Sequence, residues 1–127
     1  MTRDNIRHLP RLSLSSAMRV FGLTARALRF YEEKGLIEAR RDRLNCRYYD
    51  GAARVRLEWI AKLRQAQVSL PDIEEVLEAD DDAQRRDCAR AKLARRRDAV
   101  LKDLAAIDAV LAELDGPATP AKRLAGA

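Results

Sequence analysis

The chain has 127 residues, of which 35% are charged and 47% hydrophobic, so it has room for one domain or for a small domain with an extension. Two cysteines give neither a disulfide framework nor a metal-ligand spacing, no apolar run approaches the ~20 residues of a membrane span, and residues 1–8 lack the apolar stretch of a signal peptide. These features argue against a disulfide-rich secreted domain and a membrane protein, and they predict a cytoplasmic location.

The net charge of +5 is unevenly distributed along the chain. Residues 11–64 hold 13 basic and 6 acidic side chains, a difference of +7, whereas residues 72–82 hold seven acidic side chains and no basic one. A basic first half followed by an acidic belt predicts a polyanionic partner for the first half only.

The first elements are expected to be short. Residues 1–10 carry mixed charge and predict a flexible arm. A very short strand is expected over residues 12–14. A first helix should then begin at an N-cap on Ser15 and end at Gly22, because apolar residues recur between them at helical spacing.

The second helix is the most informative stretch. Thr24 is a good N-cap, Gly35 is a good stop, and Arg26 and Arg29 lie three residues apart and so share a helix face. Two helices joined by a short turn containing glycine predict a helix-turn-helix, whose second helix suits a major groove. The alternative is an ordinary surface helix with solvated arginines.

A β-hairpin is expected next. Strand-prone residues 36–37 and 47–49 flank a polar loop, in which Asn45 can adopt the left-handed turn conformation. We interpret this segment as a wing that extends the basic surface of the second helix, with a solvated loop as the alternative. Its loop arginines are Arg40, Arg41 and Arg43.

Two more helices are predicted before the acidic belt. Asp50 is the expected N-cap of a third helix, and Trp59 within it is expected in the core. Ser69 is the expected N-cap of a short fourth helix, with Asp72 placed to complete a capping box.

The C-terminal part predicts one long helix with an apolar seam. No glycine or proline interrupts residues 82–115, and Arg97 occupies the one seam position that is not apolar. Such a heptad seam predicts a helix partner from a second copy, and therefore a homodimer, while packing back on the same chain is the alternative. Residues 116–127 are expected to be disordered. The seam residues are Leu93, Val100, Leu104, Ile107, Leu111 and Leu114.

Several of these stretches, taken in order over about residues 12–78, resemble the MerR family of bacterial transcription regulators. The resemblance rests on residues 14–18, 22–32, 34–37, 45–50 and 68–73. It implies an all-α chain with a small β wing: a winged helix-turn-helix over residues 11–79, followed by an antiparallel coiled-coil dimerisation helix over residues 80–115.

The same resemblance implies a function. A homodimer would bind double-stranded DNA at a pseudo-palindromic promoter site, bending and untwisting the DNA so that RNA polymerase, a further partner, can use the promoter. The protein would act in the cytoplasm, associated with the nucleoid.

Family positions carried onto this sequence give the expected DNA contacts. Thr24 and Arg26 open the recognition helix, Arg29 and Tyr31 fall at backbone-contacting positions, and the loop arginines occupy the wing. Arg47 and Tyr49 close the wing, and Arg64 is a further phosphate candidate. Three departures bear on fine specificity: Phe30 replaces a common Tyr, Cys46 an aromatic residue, and Asn45 the usual glycine of the wing tip.

The input signal is not evident. No metal site and no cofactor are expected, because Cys88 is the only cysteine near the long helix and residues 115–127 contain neither Cys nor His. No enzymatic activity is expected either, since no nucleophile–base pair can be proposed. The alternatives are a thiol- or ligand-responsive activator that uses Cys88, and an architectural DNA-binding factor of the excisionase type.

Overall fold

The structure is a computed structural model that describes residues 11–117. Its helices and small sheet confirm the prediction of an all-α chain with a β wing and a long last helix. The predicted arm over residues 1–10 and the predicted tail beyond residue 117 lie outside the described residues. The elements are β1 (Leu12–Ser13), α1 (Leu14–Phe21), α2 (Ala25–Glu33), β2 (Arg40–Arg41), β3 (Arg47–Tyr49), α3 (Gly51–Gln65), α4 (Leu70–Glu78) and α5 (Asp82–Leu114).

Helix α1 begins at Leu14, directly after the strand, and its N-cap is not the predicted residue. The N-cap is Ser13, not Ser15: its hydroxyl accepts a hydrogen bond from the Ser16 amide at 3.2 Å. Ser13 still pairs in β1, and its extended backbone is the conformation that an N-cap requires, so the strand leads directly into the helix. Gly22, with φ of 64°, ends α1 as predicted.

Helix α2 has the predicted bounds and caps. The Thr24 hydroxyl accepts a hydrogen bond from the Ala27 amide at 3.0 Å, and Gly35 takes a φ of +75° just after the helix. That left-handed turn lets the Leu36 amide donate to the Tyr31 carbonyl at 2.9 Å. The helix therefore has a defined start and end, and its register is fixed.

The wing belongs to a three-stranded antiparallel sheet with the order β1–β3–β2. Leu12 pairs with Tyr49, and Arg41 pairs with Arg47. The prediction of a strand at residues 36–37 is wrong, because the outer strand of the wing is β2 at Arg40–Arg41. Leu36 and Ile37 are both buried, whereas consecutive side chains of a strand point to opposite faces.

The core lies between the helix-turn-helix and helices α3 and α4. Trp59 is buried there as predicted, and the Asp50 carboxylate caps α3 by accepting from the Ala53 amide at 3.0 Å. The Ser69 hydroxyl caps α4 through the Asp72 amide, which confirms one half of the predicted capping box. Asp72 Oδ1 also lies 3.2 Å from Lys92 Nζ on α5.

The chain divides into two compact units. The first extends to Leu93, so the beginning of α5 belongs to the same folded unit as the winged helix, with Ala89 buried. The second unit begins at Ala94 and, within the described residues, is the remainder of α5. None of the helices within residues 11–117 combines the length and apolar character that crossing a membrane requires.

Candidate nucleic-acid interface

The outer face of α2 is basic and the inner face is apolar. Leu28 and Tyr31 point into the core, while Thr24, Arg26 and Arg29 are exposed. Leu28 is fully buried, so the helix cannot rotate about its axis without exposing that side chain. The core thus determines which α2 side chains face outward.

A cleft of about 390 Å³ opens beside the start of α2 and is lined by four predicted contact residues, Thr24, Arg26, Tyr31 and Arg64. Thr24 and Arg26 line it from α2, and Arg64 lines it from α3. The guanidinium carbon of Arg64 lies 5.9 Å from the centroid of the Tyr31 ring, a cation–π distance that holds the arginine near the helix. Phe30, the aromatic residue that departs from the family pattern, also lines this cleft.

The wing tip is held by its own hydrogen bonds. Asp42 Oδ1 accepts from the backbone amides of Leu44 and Cys46, each at 2.9 Å, and Arg41 Nη1 donates to the Asn45 carbonyl at 2.9 Å. Asn45 takes a φ of 62°, the left-handed conformation predicted for it. This ordered turn leaves Arg43 exposed at the tip.

The other wing arginines have partners within the chain. Arg40 Nε donates to Asp50 Oδ2 at 2.9 Å, and Arg47 Nη1 lies 3.4 Å from Glu32 Oε2. A phosphate could replace either carboxylate only by competing with it. Arg43, which is exposed, would not have to leave either of these carboxylates to reach a phosphate.

Two predicted contact residues turn out to be buried, which corrects the contact set. Tyr49 is 0% exposed and its hydroxyl donates to Glu32 Oε2 at 2.8 Å, while Tyr31 is 3% exposed and packs in the core. Both rings face inward because β3 and α2 each turn an apolar face to the same core. We therefore remove Tyr31 and Tyr49 from the proposed contacts with DNA.

The environment of Tyr49 predicts how the stability of the protein depends on pH in the alkaline range. Burial, reinforced by the hydrogen bond to Glu32 and by the charge of that carboxylate, raises the pKa of Tyr49 far above its ordinary value of 10.0. The unfolded chain releases this proton near pH 10 while the folded chain keeps it, so the contribution of Tyr49 to stability is complete below pH 10 and declines as pH rises above it.

In an ultraviolet titration, we expect the phenolate absorbance of Tyr49 to develop only when the protein unfolds. The Tyr49→Phe variant should lose that part of the signal and retain the part that develops before unfolding. Loss of the earlier part instead would contradict the assignment.

Two exposed basic residues lie outside the predicted contact set. The guanidinium carbon of Arg11 lies 4.3 Å from the centroid of the Tyr48 ring, and Arg19 lines a cleft of about 770 Å³ together with Lys62 and Arg64. Their charges were visible in the sequence. Their positions depend on the pairing of β1 with β3 and on the packing of α1 against α3, which no local pattern reports.

Cys88 lies in the first part of α5 and packs, partly buried, against the core. This environment favours a small packing residue over an exposed sensor thiol. Across residues 11–117 no group of three His, Cys, Asp or Glu side chains is arranged to hold a metal ion.

A helix-turn-helix flanked by a sheet wing, with exposed arginines on both, defines a winged helix-turn-helix DNA-binding protein. The chain matches the family model described as "MerR HTH family regulatory protein" over residues 12–80, and the model described as "MerR, DNA binding" over residues 54–116. It belongs to the MerR family and is a DNA-binding transcription regulator. A search of curated proteins found no significant match.

Solved structures of similar fold include three regulators. HiNmlR, described as a MerR family regulator lacking the sensor domain and bound to promoter DNA, is 22% identical over 77% of this chain and 78% of its own, with a TM-score of 0.59. SkgA from Caulobacter crescentus is 28% identical over 86% and 81%, with a TM-score of 0.60. A MerR family regulator from Bacillus cereus is 22% identical over 84% and 78%, with a TM-score of 0.64.

Proposed function

We propose that this regulator acts as a homodimer on a pseudo-palindromic promoter site and bends and untwists the DNA there. The observation that carries the proposal is the combination of a capped recognition helix and an ordered wing, both presenting exposed arginines. A protein with these two surfaces can contact a major groove and the adjoining backbone together. HiNmlR, which shares the fold, was solved bound to promoter DNA, and this supports a promoter as the target.

The proposed dimer interface lies on residues 94–117. Leu104 and Ile107 are 50% and 57% exposed, and the other seam residues of this unit are exposed by between 43% (Val100) and 73% (Leu114). Leu101 and Val110, also exposed, flank the seam at heptad positions e and g and widen the apolar stripe. An apolar stripe this long is costly in water, and a second copy of the same helix, running antiparallel, is the partner that we propose for it. Leu93, the first predicted seam residue, lies in the other unit and is 37% exposed.

The proposed DNA contacts divide by chemistry. We assign Arg26, near the start of α2, to a guanine edge and Arg29 to the phosphate backbone. Thr24 and Arg64 border the same cleft and would contact the backbone beside Arg26. The wing would contribute Arg40, Arg41, Arg43 and Arg47, of which the first three are exposed and Arg47 is half-buried.

Two recognition helices related by a two-fold axis would enter successive major grooves, about 34–36 Å apart on straight DNA. Bending and untwisting adjust the DNA to the separation that the dimer imposes, at a deformation energy that depends on the sequence between the half-sites. RNA polymerase would be the further partner that uses the reshaped promoter.

The test begins by selecting genomic fragments that the wild-type protein retains, followed by footprinting. We expect a single two-fold-symmetric footprint within the spacer of a promoter, and a bend in circular-permutation gels. Several tandem sites away from promoters would instead support the architectural, excisionase-like alternative. The duplex recovered in this way is called the selected duplex below.

A further inference from the structure

We propose that Glu32 is a positioning residue that fixes the wing against the recognition helix, so that the wing arginines reach DNA only while its contacts are intact. The inference rests on the proposed function, because it concerns how the two DNA-contacting elements act as one surface. Glu32 ends one of the stretches that resemble the MerR family, but the sequence assigns no role to it or to the adjacent Glu33.

The geometry converges on one carboxylate oxygen. Glu32 Oε2, on α2, accepts a hydrogen bond from the Tyr49 hydroxyl at 2.8 Å and lies 3.4 Å from Arg47 Nη1. Both partners belong to β3, so one side chain of the helix holds two side chains of the strand. Hydrogen bonds to an ionised carboxylate are shorter and stronger than those between neutral groups.

The shielding of this contact makes it effective. The Glu32 side chain is 18% exposed and the Arg47 side chain 26% exposed, so water and salt screen the pair less than they would screen a surface ion pair. The Tyr49 ring is fully buried, and without Glu32 its hydroxyl would lose this acceptor in an apolar setting.

The strand that Glu32 holds is the central strand of the sheet. β3 pairs with β1 on one side and with β2 on the other, and β2 leads into the tip that carries Arg43. Fixing β3 therefore fixes the direction of the whole wing relative to α2. A carboxylate amid the arginines of a DNA-binding face repels phosphates, and the ion pair with Arg47 neutralises much of that repulsion.

The experiment measures whether the wing still contributes to binding when Glu32 is removed. Four full-length proteins are compared on the selected duplex: wild type, Arg43→Ala, Glu32→Ala and the double variant. At about 0.15 M salt, one lost phosphate contact lowers affinity about fivefold and reduces the slope of log K against log salt by about 1. We expect that full loss for Arg43→Ala in the wild-type background, and a loss of less than about twofold in the Glu32→Ala background.

Two further variants separate positioning from simple stability. Glu32→Gln keeps an oxygen that can accept from Tyr49 and should restore most of the Arg43 contribution, whereas Tyr49→Phe keeps the buried ring and should lose part of it. Glu33→Ala, at the exposed neighbouring position, is the matched control and should leave the Arg43 contribution unchanged. All measurements are made well below each variant's melting temperature, checked by circular dichroism.

The inference is overturned if Arg43→Ala lowers affinity equally in both backgrounds, or if Glu32→Ala lowers the melting temperature but leaves affinity and salt slope at wild-type values. Failure of the proposed function looks different, because the wild-type protein would then retain no selected duplex at all.

Discussion

Replacing Leu104 with aspartate is expected to convert the proposed dimer into monomers and to reduce binding to the selected duplex by about 10²- to 10⁴-fold. Leu104 occupies an a position of the seam and is 50% exposed in the single chain. A charge there would be buried without a partner when two helices associate, and the free energy of burying it would make association unfavourable. The loss of DNA affinity follows because two half-sites are no longer engaged by one linked molecule.

Sedimentation equilibrium measures the mass, and gel shift with the selected duplex measures the affinity. Ala109→Asp is the matched control, because position 109 is an f position on the opposite side of the same helix and the added charge is identical. That variant should remain dimeric and bind normally. An intact dimer for Leu104→Asp would contradict the seam as the dimer interface.

The second large effect is expected from Arg26→Ala, which should lower affinity for the selected duplex by about 5- to 150-fold and change affinity for random-sequence DNA far less. The range corresponds to the ~1–3 kcal/mol of discrimination that a bidentate arginine–guanine contact provides. The outward orientation of Arg26 is set by burial of Leu28 on the opposite face of α2.

Arg29→Ala is the comparison variant on the same helix. As a proposed phosphate contact, Arg29 should weaken binding to both duplexes by a similar factor and reduce the salt slope by about 1. Fluorescence anisotropy over a salt series distinguishes the two patterns. Equal losses on both duplexes for Arg26→Ala would mean that Arg26 contacts only the phosphate backbone.

Signals that act over a few residues were predicted well. The hydroxyl cap on Thr24 and the left-handed glycines at 22 and 35 determine where α1 ends and where α2 begins and ends, because each acts through the backbone of its own turn. The N-cap of α1 was misplaced by two residues because several serines offer equivalent hydroxyls and only strand pairing selects Ser13.

Errors in the candidate site arose from contacts between distant parts of the chain. Tyr49 was predicted as a DNA contact because it matches the family position that closes the wing, and that match does not report whether the side chain is buried. Its burial depends on the register of β3 with β1 and on Glu32, which is far from it in sequence. The contact of Arg11 with Tyr48 could not be predicted for the same reason, since it exists only in the folded sheet.

The sequence by itself determined the order of the elements, the shared face of Arg26 and Arg29 on α2 and the apolar seam of α5, because periodicity and capping are local properties of the chain. The family came from the resemblance of several motifs in order along the sequence. Only the tertiary structure decided which aromatic residues are buried, which wing arginines already have carboxylate partners, and that Glu32 joins helix to wing. The physical reason is that burial and ion pairing depend on contacts between segments that are far apart in the sequence, and the packing of the whole core determines those contacts.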